Sequence, residues 1–227
     1  MKIAELFYSI QGEGVLLGVP SFFVRTTGCN LRCTWCDTPY TSWQPEGTGM
    51  SIDQIVVEAE RHPGRHVVIT GGEPMIAPAV VELTQAFRQA GFHITIETAG
   101  TVYQPVECDL MSISPKLANS TPHERDGGRW AAQHERLRIQ PEVLRNLTKH
   151  FNFQLKFVFQ SRSDLTEIKQ LVDLLDAPVQ CVLLMPEGTT PALTRERGLL
   201  VAEICKETGY RMSPRLHVDL WGDRRGV

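Results

Sequence analysis

The chain has 227 residues, with 23 Lys and Arg against 26 Asp and Glu, for a formal net charge of −3. It suits one α/β domain with a substantial core and has no basic stripe of the kind that binds nucleic acid. No stretch reaches the ~18 apolar residues of a membrane span, and Met1-Lys2-Ile3-Ala4-Glu5 does not open like a secretory leader, so a cytoplasmic protein with a small-molecule substrate is expected.

Six cysteines, three of them clustered, point to a metal site in a reducing compartment rather than to a disulfide framework. The first informative segment is Phe7-Tyr8-Ser9-Ile10-Gln11-Gly12-Glu13-Gly14, a stretch ending in a glycine-punctuated loop that brings Gln11 and Glu13 together. A carboxylate there could accept two parallel hydrogen bonds from a guanidine-like edge such as a pterin presents, though a polar surface turn reads the same way. Ser21 to Thr26 is expected as a short buried strand. Its Arg25 is either a clamp for a substrate carboxylate or half of a sheet-edge salt bridge.

Directly after that strand comes Cys29-Asn30-Leu31-Arg32-Cys33-Thr34-Trp35-Cys36. Three thiolates at this spacing can close on one face of an iron–sulfur cube and leave one iron open, whereas electron-transfer clusters are normally held by four cysteines. Cys108, Cys181 and Cys205 are scattered and make poor fourth ligands. A structural zinc site would want another Cys or His nearby, and the nearest histidine is His62; a redox switch is the other alternative. Pro39 disfavours a helical Thr38, so the Thr38 hydroxyl can point into the site as a magnesium ligand or simply serve a turn.

Ser51 caps an expected helix that stops near His62-Pro63-Gly64, and His66 to Thr70 reads as a buried parallel strand. The loop Gly71-Gly72-Glu73-Pro74 follows; its glycines let backbone approach a ligand, and its exposed carbonyls and carboxylate could hold an ammonium group. A helix over 78–87, a strand over His93 to Thr98 and a strand from Asp109 towards Lys116 come next, which puts Glu97, Ser114 and Lys116 on one rim of a parallel sheet. Residues 119–137 lack periodicity and are charge-rich, so a mobile insertion is expected, with His123 and His134 solvated.

Regularity returns with a helix near 141–149 and an alternating strand, Phe153 to Phe159, that places four apolar residues on one face and Gln154, Lys156 and Val158 on the other. A helix over 163–175, a strand over 179–185, a rim loop and a helix from Pro191 to Thr208 stopped by Gly209 complete the pattern. The tail carries a lone His217, which suits a core or surface position or the closing of a pocket.

The Cys-x3-Cys-x2-Cys spacing with Trp35 before its last cysteine resembles the signature of the radical S-adenosylmethionine superfamily, and Thr70-Gly71-Gly72-Glu73-Pro74 resembles its motif for the amino group of that cofactor. With Ser9 to Gly14, Asp37-Thr38, Glu97 to Thr101 and Ser114-Pro115-Lys116 added, nearly the whole chain resembles the 7-carboxy-7-deazaguanine synthase family of the deazapurine (queuosine) pathway. The resemblance implies an incomplete (β/α)6-type TIM barrel, usually a homodimer, as a single domain over 1–227 whose tail, 211–227, closes the substrate pocket. It implies a radical lyase that contracts 6-carboxy-5,6,7,8-tetrahydropterin to 7-carboxy-7-deazaguanine with loss of ammonia, drawing electrons from a donor such as flavodoxin.

The same resemblance implies a [4Fe–4S] cluster on Cys29, Cys33 and Cys36, and S-adenosylmethionine against Trp35, Cys36, Asp37, Gly72, Glu73, Ser114, Pro115 and Lys116, with Pro186, Glu187, Gly188 and Thr189 over its adenosine. Substrate contacts fall on Ile10, Gln11, Gly12, Glu13, Arg25, Thr70 and His217, and Mg2+ on Thr38; no catalytic residue beyond these ligands is expected. Some members use their carboxyl terminus as a substrate contact. This chain runs past Gly222 to Val227, so Val227 is the position to watch. Two other readings share the cysteines: a radical activase acting on a partner protein, and a metal-binding or redox-sensing module with no catalysis.

Overall fold

A computed structural model describes residues 1–227. One nine-stranded sheet runs β3-β1-β2-β4-β5-β6-β7-β8-β9. Its body is six parallel strands: β2 (Pro20–Thr26), β4 (His66–Gly71), β5 (His93–Thr98), β6 (Leu110–Ile113), β7 (Phe153–Phe159) and β8 (Val182–Pro186). The two-residue β9 (Arg211–Met212) extends it in parallel, while β1 (Lys2–Ile10) and the short β3 (Thr48–Gly49) add antiparallel strands at the other edge. The first and last strands do not pair, so the barrel is open, as an incomplete (β/α)6 barrel requires.

Helices α2 (Ile52–Glu60), α3 (Val80–Gln89), α5 (Pro141–His150), α6 (Asp164–Leu174) and α7 (Pro191–Thr208) cover one face; α1 (Pro39–Ser42), α4 (Ala131–Arg138) and α8 (Leu216–Trp221) are short pieces. Each long helix sends apolar residues into a single core of 32 buried side chains, among them Ile55, Leu83, Phe87, Leu147, Ile168 and Val201. Burying such side chains contributes about 1.5–3 kcal/mol apiece and holds the sheet's outer face. Ser51 caps α2 with a reciprocal Gln54 capping box, and Gly209 ends α7 in a left-handed conformation at φ 76°, as the sequence suggests.

Across the parallel strands two neighbouring rows face opposite ways. Val24, Ile69, Ile96, Met111 and Phe153 lie in register and pack outward with the core. One residue further along, Arg25 stands beside Thr70, and Glu97 beside Ser112 and then Gln154. That second row faces the interior of the half-barrel, because side chains alternate along each strand.

Three expectations need correction. The strand β1 went unread, because its mixture of Lys2, Glu5, Tyr8 and Ser9, close to the sheet's edge, lacks the apolar run of a central strand. The segment 119–137 holds two 3-10 turns and α4, and its His134 is 1% exposed rather than solvated. Its ring is drawn inward because both nitrogens find partners there, as described below.

Candidate active site

At the carboxyl ends of the strands opens a cavity of about 500 Å³, within the range of small-ligand sites. Ile10, Gln11, Gly12, Glu13, Arg25, Thr70 and His217 line it, and so do Trp35, Asp37, Thr38, Gly72, Ser114, Lys116, Thr189 and Val227. Gly12 is there because a Cβ on it would meet His217 Nδ1 at 2.1 Å. Gly72 permits backbone-to-backbone contact with the cysteine loop, since its Cβ would fall 2.2 Å from the Gly28 carbonyl oxygen; the adjacent Glu73 N–H donates to that same oxygen at 2.9 Å.

The cysteine loop is braced from several directions. Cys29, Cys33 and Cys36 share one small cluster with Leu31, Ala99, Trp35 and Leu137, whereas Cys108 and Cys205 pack against the main core. Arg32 Nη1 donates to the carbonyls of Cys29 and Leu31 at 2.7 and 2.8 Å. Trp43 Nε1 donates to the Cys33 carbonyl at 3.1 Å. The Arg32 N–H donates to His134 Nδ1 at 3.1 Å, which leaves Nε2 as the donor to Ser120 Oγ, 2.9 Å away; Ser120 Oγ in turn donates to the Leu117 carbonyl. Burial lowers the His134 pKa to about 4, so the ring is a neutral strut.

Burial pushes the Cys29 thiol up to about 12 and raises Cys33 as well, each also repelled by the neighbouring sulfurs. Three thiols gathered in one loop, Cys33 buried and Cys29 and Cys36 half-buried, fit a cationic cluster that accepts thiolates. No three His, Cys, Asp or Glu side chains converge on one point; a cube does not ask for that, because each cysteine meets a different iron.

Glu13 sits at the centre of a buried charge network. Its carboxylate accepts from Lys156 Nζ and, at 3.1 Å, from Arg215 Nε; His217 Nε2 stands 3.8 Å away. Burial alone would raise its pKa, but Lys156 and Arg215 outweigh that and hold it well below the usual carboxylate range. Arg215 continues to Asp37 Oδ2 and the Gly188 carbonyl, both at 2.5 Å. Glu97 accepts from Gln11 Nε2 at 3.2 Å and from Thr70 Oγ1 at 2.8 Å, with Lys156 Nζ 3.9 Å off. Gln11 is 5% exposed, so its loop is no surface turn.

Some predicted contacts are placed differently. The Glu73 carboxylate is not exposed: it is fully buried and accepts from Met75 N, Thr98 Oγ1 and Ala99 N, tying two rim loops together. Pro115, Pro186, Glu187 and Gly188 do not line the cavity. Pro115 and Pro186 turn into the protein, Glu187 is drawn to Arg197, and the Gly188 carbonyl to Arg215. Arg25 holds both roles open at once: it borders the cavity and its Nε donates to Glu5 Oε2 at 2.9 Å.

Sequence reasoning missed Lys156, Arg215 and Gln154. Lys156 and Gln154 were visible as polar alternates in an aromatic strand; nothing in the sequence around Arg215 announces it.

Comparison with known proteins agrees with this geometry. Residues 23–120 match the model of the radical SAM superfamily. A protein of Halobacterium salinarum called 7-carboxy-7-deazaguanine synthase is 45% identical over 234 residues, covering 98% of this chain and 91% of its own. One of the same name from Rhodopirellula baltica is 42% identical over 100% of this chain and 89% of its own. The crystal structure of QueE from Escherichia coli superposes with a TM-score of 0.73 at 27% identity, covering 95% and 94% of the two chains. With full-length identity of this order joined to a three-cysteine loop on an open parallel barrel, the chain belongs to the 7-carboxy-7-deazaguanine synthase family of radical S-adenosylmethionine enzymes.

Proposed function

We propose that the cavity takes 6-carboxy-5,6,7,8-tetrahydropterin beside S-adenosylmethionine, and that the chain contracts the pterin to 7-carboxy-7-deazaguanine with loss of ammonia. The observation that carries this reading is the meeting, in one cavity, of Glu13, Arg25 and Thr38 with the rim of the cysteine loop. Glu13, kept ionised by Lys156 and Arg215, offers acceptors to the amino-amidine edge of a pterin. Arg25, now on Glu5, offers its remaining guanidinium donors to the substrate carboxylate. Gln11, Gly12, Thr70 and His217 would surround the ring, and Val227 would close the far side with Arg215, Val218 and the last residues of the 211–227 tail, which line the same cavity.

Cys29, Cys33 and Cys36 would hold the [4Fe–4S] cluster, and Trp35, Asp37, Gly72, Ser114, Lys116 and Thr189 would border S-adenosylmethionine. When bound, these cofactors supply a carbon radical able to take a hydrogen from the pterin. Thr38 lines the cavity, and its hydroxyl would suit a Mg2+ ion that neutralises the substrate carboxylate. A cytoplasmic homodimer of single-domain chains, reduced by a flavodoxin-type donor, completes the reading; no helix is long and apolar enough to cross a membrane.

Turnover tests it. Anaerobically reconstituted protein with S-adenosylmethionine, Mg2+ and a reductant should convert the carboxytetrahydropterin to the deazaguanine acid, followed by mass spectrometry. Cleavage of S-adenosylmethionine with the pterin untouched would favour an activase of a partner protein, and stoichiometric zinc a metal-binding module. Thr38→Ala should weaken the response to Mg2+ with iron content unchanged; an unaltered response removes Thr38 from the metal.

A further inference from the structure

Arg215 is 7% exposed and spreads its guanidinium over three segments far apart in sequence. Nε donates to Glu13, Nη2 to Asp37 and Nη1 to the Gly188 carbonyl. Glu13 belongs to the loop after β1, Asp37 follows the last cysteine of the triplet, and Gly188 lies in the loop after β8. Backbone bonding fixes where the side chain starts: the N–H of Leu216 donates to the Gly12 carbonyl at 2.9 Å. The ring of His217 packs on Gly12.

We infer that Arg215 is a positioning residue that couples the two ligand subsites, so that S-adenosylmethionine and the pterin each tighten the other's binding. The inference rests on the function proposed above. A guanidinium is planar and its donors stand in a fixed fork, so it cannot turn towards one partner without leaving the others. A ligand that orders Asp37 and the Gly188 loop therefore orders the fork, and through Nε it holds the Glu13 carboxylate in one orientation. The next ligand meets a carboxylate already aimed. By linkage the effect runs equally in the other direction.

The rival account is that Arg215 only neutralises Glu13. That role would make both ligands bind more weakly on its loss, but would leave the ratio of affinities untouched.

The test is anaerobic calorimetry on cluster-loaded protein without reductant, so that nothing turns over. The dissociation constant of the carboxytetrahydropterin is measured with and without S-adenosylmethionine, and the reverse. The wild type should show a ratio of about fivefold or more, the lower end of known site-to-site couplings, and Arg215→Lys should bring it within about twofold of unity.

Asp37→Asn, on the 40% exposed carboxylate at one end of the fork, should reduce the ratio too and serves if Arg215→Lys does not fold. A wild-type ratio of one, or an undiminished ratio in either folded variant, overturns the coupling. Failure of both ligands to bind the loaded wild type overturns the proposed function and the coupling with it, and differs plainly from two ligands that bind independently.

Discussion

Two rows of side chains, one residue apart on the same strands, are both largely withdrawn from solvent and are held by opposite means. Val24, Ile69, Ile96, Met111 and Phe153 face the helices and keep their places by excluding water and filling space. Arg25, Thr70, Glu97, Ser112 and Gln154 face the cavity, where each polar atom needs a named partner: Gln154 Nε2 donates to Ser112 Oγ at 2.7 Å and Thr70 Oγ1 to Glu97 at 2.8 Å. The apolar row tolerates exchange at constant volume. The polar row does not, because losing one partner strands another in a medium poor in water. Burial by itself therefore says little about role; what the buried atom touches decides it.

Strand β7 allows the sharpest cut between the two, since Lys156 and Phe157 are adjacent and face opposite ways. Lys156→Met strips Glu13 of a buried counter-charge and should cost about 3–5 kcal/mol in denaturant unfolding, with a loss of pterin affinity. Restoring stability by adding Glu13→Gln would show that the unpaired carboxylate, rather than lost packing, was the cause. Phe157→Ala, in a side chain with no exposure, should also cost about 3–5 kcal/mol. Its pterin affinity, measured on the folded fraction, should stay at the wild-type value. If Lys156→Met proves neutral, or Phe157→Ala alters binding, the division between the rows fails.

The strut at His134 extends the comparison to a neutral polar group. In the fold it titrates near 4, against about 6.5 in an unfolded chain. Between those values the unfolded chain takes up the extra proton, so stability is complete above pH ~6.5 and falls as the pH drops, by up to ~3 kcal/mol near pH 4. The carboxylates of Glu13 and Asp37, held below their usual range, lose their contribution only at lower pH still. Unfolding curves of His134→Gln should show a shallower slope between pH 6.5 and 4 than the wild type, the remainder coming from His66 and His217, which burial also lowers; equal slopes would mean the ring is not held neutral.

The smallest effect is expected far from both rows. Ser51→Ala removes the capping box of α2 and should lower stability by about 1 kcal/mol with ligand binding intact. A larger cost, or any change in binding, would mean that the helical layer and the cavity are less separate than the two rows imply.

Periodicity and spacing carried much of the fold and part of the site. The strands His93–Thr98 and Phe153–Phe159 and the helix Pro191–Thr208 stand where their residues suggest, because a β-branched or aromatic run bounded by glycine and proline has few other ways to bury itself. The three cysteines and the Gly71-Gly72 loop were legible for a similar reason: their chemistry depends on short local spacing. Strand β1, second from the sheet's edge, was not, and neither was α4, whose polar residues acquire a buried side only when His134 meets Arg32 and Ser120.

Sequence alone determined that three thiols would gather in one loop after a buried strand, and that glycine-rich turns would stand on the same rim of a parallel sheet. Both follow from local chain geometry. Tertiary structure alone decided that Glu13 would be met by Lys156 and Arg215, 143 and 202 residues away, and that Glu73 would turn inward to tie loops together. Pairings of that kind leave no periodic trace, because a buried charge is placed by whatever partner the closed barrel brings within reach.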